Sequence, residues 1–149
     1  MYRINHGGVI AATLLQQIVH YVWYSPSVFF DPWMHAFRLD AMAVIDSNLL
    51  PFIAALLGSL TFCYLFAWLL GRLGITSLAG GLGLAVLLWL PHAGFWTISQ
   101  YLSAEIPWPG ILVDVLGTLA NVLLAGMMLT LWRKRLPRRA PPATEASKA

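Results

Sequence analysis

Residues 47–71 read SNLLPFIAALLGSLTFCYLFAWLLG, twenty-five positions without a charge. About 20 mostly apolar residues are enough for a helix to cross roughly 30 Å of hydrocarbon. Backbone N–H and C=O groups find no water inside lipid, so such a run must pair its own backbone as a helix. Working outward, the other uncharged runs are Ile4–Phe30, Leu73–Ala104 and Val115–Trp132. Ile106–Val113 extends the last of these toward the N-terminus, with Asp114 between the two pieces. Four helices are expected, over 7–29, 49–70, 75–99 and 109–132. The fold class is then all-α integral membrane: a four-transmembrane-helix antiparallel bundle.

The composition agrees. Of 149 residues, 59% are hydrophobic and 10% are charged. A soluble domain carries about 25% charged residues. Seven of the charges fall in residues 133–149, which leaves eight for residues 1–132. Eight charges cannot cover the surface of a soluble fold of this size. A soluble enzyme, a disordered chain and a secreted disulfide scaffold are excluded. A nucleic-acid module is excluded too, although the pI is near 9.4. The lone Cys63 provides neither an internal disulfide nor a metal framework.

Lysine and arginine in short flanking segments set orientation. With an even number of spans, both termini share a side with the Gly71–Gly74 turn. That side collects Arg3, Arg72, Arg133, Lys134, Arg135, Arg138, Arg139 and Lys148, against Arg38 alone on the other. Both termini are expected to be cytoplasmic. Residues 1–132 form the membrane domain and 133–149 a basic, disordered cytoplasmic tail. The start of that tail, Arg133 to Arg139, either contacts anionic headgroups or only fixes topology. The first span resembles a secretory signal only superficially: its apolar run is too long, and no small-x-small cleavage site follows it.

The outer loop carries its own pattern. Asp31 and Pro32 suit an N-cap and first turn. Trp33, Met34, Phe37, Ala41, Val44 and Ile45 then recur at helical spacing. An amphipathic helix over about 32–46, lying on the outer membrane surface, is expected. Just before it come Trp23-Tyr24-Ser25-Pro26, Phe29, Phe30 and Trp33-Met34. This stretch resembles a family of small bacterial four-helix membrane proteins, catalogued as domain of unknown function 1761. Its members have a Trp-Tyr-Ser-Pro-like run ending the first helix, followed by Phe-Gly and Trp-Met pairs. The sequence departs at Phe30-Asp31, where Gly-Lys is more usual. The resemblance implies coverage of about residues 5–132 and a bacterial inner (cytoplasmic) membrane location. It implies no catalytic residues. Read physically, Trp23, Tyr24, Ser25, Pro26 and Trp33 form a collar at the outer interface, because Trp and Tyr prefer headgroup level and Pro26 ends or kinks the helix. The collar is either an anchored turn or the rim of a pocket.

Ionisable residues inside spans are costly and are functional candidates. There are three: His20, His92 and Asp114. At 1.5 Å per residue they lie roughly 14, 10 and 8 Å from the outer ends of their helices. They meet if their faces converge. Gln16, His20 and Tyr24 share one face of the first helix at four-residue spacing, and Asp114, Thr118 and Asn121 share a stripe of the last. The candidate polar site is therefore His20, His92 and Asp114, supported by Gln16 and Asn121. The bland reading is interhelical hydrogen-bond packing. No His-Glu-x-x-His or Cys-x-x-Cys spacing exists, so no catalytic residue, metal or cofactor is expected.

Small residues mark close helix approach. Ser77, Gly81 and Ala85 recur at four-residue spacing, with Gly80 and Gly83 beside them, and these glycines are expected to face the second helix or a neighbouring subunit. The short Gly71–Gly74 turn is expected to make the second and third helices an antiparallel hairpin. The chain is expected to be a non-enzymatic accessory, assembly or self-associating membrane subunit. Its partners would be the lipid bilayer and a homo-oligomer or larger membrane complex, without nucleic acid. The alternative is a subunit of a small-solute or proton transporter or channel using His20, His92 and Asp114.

Overall fold

A computed structural model describes residues 2–39, 49–132 and 134–135. Its helices are α1 (His6–Trp23), α2 (Phe30–Phe37), α3 (Leu50–Arg72), α4 (Leu78–Trp89), α5 (Thr97–Ser103) and α6 (Trp108–Leu131). A π-helical segment, Leu90–Trp96, joins α4 to α5 in one continuous rod. Two short strands, β1 (Tyr2–Arg3) and β2 (Lys134–Arg135), pair antiparallel with Tyr2 opposite Arg135 and Arg3 opposite Lys134. Asn5 adds a side-chain bond to the Trp132 carbonyl at 2.9 Å. Residues 2–5 and 132–135 thus meet at one end of the bundle.

Three helices are long and apolar enough to cross a membrane by length and composition: Leu50–Arg72, Leu78–Ser103 and Trp108–Leu131. Helix α1 is not among them. Its 18 residues include His6, Gln16, Gln17 and His20, which lower its hydropathy.

The turns account for most differences from the expected boundaries. Helix α1 stops at Trp23 rather than at Phe29. Pro26 follows, and the chain folds into a tight turn in which Phe29 N–H donates to the Trp23 carbonyl at 3.2 Å. Helix α2 then starts earlier than expected. Phe29 is its N-cap and Asp31 lies in its first turn, so Asp31 is not the cap. Helix α2 also stops at Phe37 instead of running to residue 46, because Arg38 turns left-handed at φ 52°. Leu39 N–H bonds to Met34 O, and Arg38 N–H to His35 O, the paired closure of a Schellman cap. Of the expected surface helix, residues 40–46 lie outside the described residues. The same cap ends α3, with Gly74 at φ 65°; Ile75 N–H reaches Leu70 O and Gly74 N–H reaches Gly71 O. Ser77 then caps α4 by accepting from Gly80 N–H at 3.1 Å.

Helix α6 is the central element, packing on α1, α2, α3 and α4. The expectation for the α4 glycines is corrected here. Gly81 lies against Thr130 of α6, and Gly126 of α6 lies against Ala85 of α4. The close α4 contact is therefore with α6 rather than with α3. The α3–α4 connection is antiparallel, but Phe66 fills the space between these helices and α6. One buried cluster, Val9, Ala12, Cys63, Phe66, Leu70, Ala85, Ala125 and Leu129, occupies the half of the bundle near the chain ends. A smaller one, Trp89, Ile111 and Val115, lies nearer the opposite end.

Candidate functional site

At the end of the bundle remote from β1 and β2, two elements converge on Asp114 in the second turn of α6. The Tyr24 hydroxyl, just past α1, donates to Asp114 Oδ1 at 2.6 Å. The Tyr101 hydroxyl of α5 donates to Asp114 Oδ2 at 2.7 Å. Both are short O–H···O hydrogen bonds, and together they engage each carboxylate oxygen once.

Aromatic rings close the circuit. Tyr24 meets Trp33 edge-on at 5.1 Å, Trp33 meets Phe37 at 5.7 Å, and Phe37 meets Tyr101 edge-on at 5.0 Å. Helix α2 is thereby clamped across the bundle end, as offset and edge-to-face rings favour. Glycines on α6 make the room. A Cβ at Gly110 would run into the Ala36 methyl of α2. A Cβ at Gly117 would lie 2.8 Å from Trp23 Nε1, and that nitrogen donates to the Val113 carbonyl at 2.9 Å.

The candidate residues separate into three places. Asp114 and Tyr24 are bonded directly, and His20 packs its ring on Tyr24 at 4.7 Å while its side chain stays exposed. Gln16 and Asn121 form a second level, farther from this end. Gln16 Nε2 donates to the Asn121 carbonyl at 3.0 Å, and Gln16 Oε1 accepts from Cys63 Sγ at 3.3 Å. Asn121 Nδ2 turns back to Gly117 O at 3.1 Å. His92 joins neither level. It is exposed on the π-helical segment, and its carbonyl accepts from Thr97 Oγ1 at 3.3 Å. Of the expected convergence, His20 reaches Tyr24, the partner of Asp114, and His92 stays outside on the π-helical segment, where Ala93 and Gly94 are the residues turned inward.

Of the collar residues, Trp23, Tyr24 and Trp33 carry side-chain contacts. Ser25 contributes its carbonyl, which accepts from Val28 and Phe30 N–H at 3.0 and 3.2 Å. Pro26 is exposed and only shapes the turn. Two members of the site escaped the sequence reading, Tyr101 and Phe37 as a partner of Tyr101. Their one signal was an aromatic at the outer end of the third span, level with Asp114. Arg133, Arg138 and Arg139 lie outside the described residues, and Lys134 and Arg135 are placed by backbone alone in β2. Among the described residues, no three His, Cys, Asp or Glu side chains lie close enough together to hold a metal ion.

What the arrangement does chemically is tie helices. Each hydrogen bond to a charged group contributes about 1.5–3 kcal/mol net, and Asp114 makes two of them to two different elements. No curated protein and no solved structure matches the chain. The family described as "Protein of unknown function (DUF1761)" matches residues 8–130, the stretch that contains every contact of this site, and the chain belongs to that family.

Proposed function

We propose that the chain is a four-span membrane protein, with α1 as the fourth span, and that it serves as a non-enzymatic accessory, assembly or self-associating subunit. One observation carries this reading: of the four polar side chains that lower the hydropathy of α1, His6, Gln16 and Gln17 are paired with groups on the other helices, and His20 packs on Tyr24. His6 Nδ1 pairs with the Tyr64 hydroxyl at 3.1 Å, near the chain ends. Gln17 Nε2 donates to Ser59 Oγ at 2.9 Å. Gln16 bridges Asn121 and Cys63, Trp23 reaches Val113 O, and Tyr24 reaches Asp114. In lipid, such groups are tolerated when they face the bundle and are paired. At 18 residues, α1 is about 27 Å long, which is within the range of a span. Its polarity is then a consequence of its interior position.

The same pairing supports a role outside catalysis, since Asp114, Gln16 and Gln17 are engaged in holding helices together. The location proposed is a bacterial cytoplasmic membrane with both termini inside. The β1–β2 pairing is consistent with an even number of spans, and the surplus of basic residues at that end supports its being cytoplasmic. Labelling of single-cysteine variants in intact cells, in a Cys63→Ser background, tests the arrangement. Arg38→Cys is expected to react with an impermeant maleimide from outside, and Arg72→Cys only after permeabilisation. Reaction of Arg72→Cys in intact cells would overturn the orientation.

A further inference from the structure

Gly81, Ala85 and Trp89 form a buried row on the rod Leu78–Ser103. The row faces α6: Gly81 meets Thr130, Ala85 meets Gly126, and Trp89 Nε1 donates to Thr118 Oγ1 at 3.0 Å. The row continues at Ala93, half-buried against Trp89, Ile111 and Val115, but the helix itself changes there. Pro91 cannot donate to the ladder, and Leu90–Trp96 widens into a π-helix. Gly94 becomes the buried residue, packed on the Trp89 ring, and His92 is turned outward. Phe95 and Trp96 are exposed with it, at 66% and 58%. Among the described residues, the His92 imidazole has no partner.

Its depth makes this display costly. His92 is 14 residues from Leu78 and 11 from Ser103, or about 21 and 16 Å along the rod. That is close to the middle of a span. Ionisable side chains at such depth face a partner rather than lipid, and π turns recur at functional sites.

We propose that this face is an interface with a second copy of the chain, in which His92 of one copy hydrogen-bonds His92 of the other. The proposal rests on reading Leu78–Ser103 as a membrane span. Two copies inserted with the same topology carry every residue at the same depth, so a two-fold axis along the membrane normal brings like to like. A neutral imidazole has one N–H donor and one bare nitrogen acceptor, so a pair of them is self-complementary without any other group. The exposed Phe95 and Trp96 supply apolar area around the pair.

Disulfide trapping in native membranes tests it. In a Cys63→Ser background, Phe95→Cys, which leaves His92 intact on the same exposed face, is expected to give a disulfide-linked dimer on mild oxidation, and Leu14→Cys, on the exposed face of α1, is expected to give none. Equal trapping at both positions, no trapping at Phe95→Cys, or trapping of a different protein would each overturn the proposal. Two further variants keep the test independent of the cysteine. His92→Leu is expected to weaken dimerisation roughly 3- to 17-fold, the range of one interhelical hydrogen bond in a membrane. His92→Gln, which retains donor and acceptor, is expected to keep most of it. Equal dimerisation by the Leu variant and the unsubstituted chain would also overturn it. Alkaline extraction of the same membranes separates the two failures: chain released into the wash contradicts the membrane reading, whereas chain retained without dimer contradicts only the interface.

Discussion

Replacing Asp114 with Asn removes a charge and leaves the shape. In the structure the carboxylate accepts from Tyr24 at 2.6 Å and from Tyr101 at 2.7 Å. A hydrogen bond to a charged group contributes about 1.5–3 kcal/mol and a neutral one about 0.5–1.5 kcal/mol. Two bonds give a difference of about 2–3 kcal/mol, reduced toward about 1 kcal/mol by the partial exposure of the site. For a chain of this length each kcal/mol moves the midpoint of unfolding by about 3 °C. Asp114→Asn is therefore expected to lower Tm by roughly 3–9 °C. The single cysteine provides the assay. Cys63 is fully buried, so a thiol-reactive fluorogenic maleimide lights up only as the bundle opens in detergent. A double-mutant cycle makes the test specific. Tyr24→Phe and Tyr101→Phe should each cost clearly less in the Asn background than in the unsubstituted chain. Purely additive losses, or a shift under 1 °C for Asp114→Asn, would refute the two-tyrosine clasp.

Other substitutions probe the packing beneath the clasp. Gly81→Ala pushes a methyl into Thr130 and is expected to cost about 1–3 kcal/mol. Gly83→Ala meets nothing within 4 Å and should stay within about 0.5 kcal/mol; the same thermal assay compares them. Trp23→Phe removes the donor to Val113 O and should cost about 0.5–1.5 kcal/mol. Gln16→Leu removes the acceptor of the Cys63 thiol, and is expected to raise the rate at which Cys63 reacts with the maleimide below the melting transition.

Three long apolar helices, Leu50–Arg72, Leu78–Ser103 and Trp108–Leu131, were legible because long uncharged runs show at once; α1 was legible as a helix, and its polar residues leave it outside that set. Asp114, His20 and Tyr24 were legible as well, since intramembrane polar groups are few and four-residue spacing marks a helix face. Tyr101 was not, because no spacing relates residues on different helices until the bundle is assembled. His92 was misplaced because depth along a helix does not fix the face: on the π-helical segment Ala93 and Gly94 are the residues turned inward. The pairing of α4 with α6 was likewise hidden. A glycine stripe shows that something approaches closely, but Thr130 and Gly126 are what make α6 the helix that does.

The idea on which the rest depends is that α1, despite its glutamines and histidines, lies inside the bundle as a span against α3. Oxidising a Gln17→Cys, Ser59→Cys variant in the Cys63→Ser background, in intact membranes, tests this directly. These two side chains are hydrogen-bonded at 2.9 Å, so the expected result is one intramolecular disulfide, with Gln17→Cys alone inert to impermeant maleimide from either side of the membrane. Absence of that disulfide, together with ready labelling of Gln17→Cys from the aqueous phase, would contradict it.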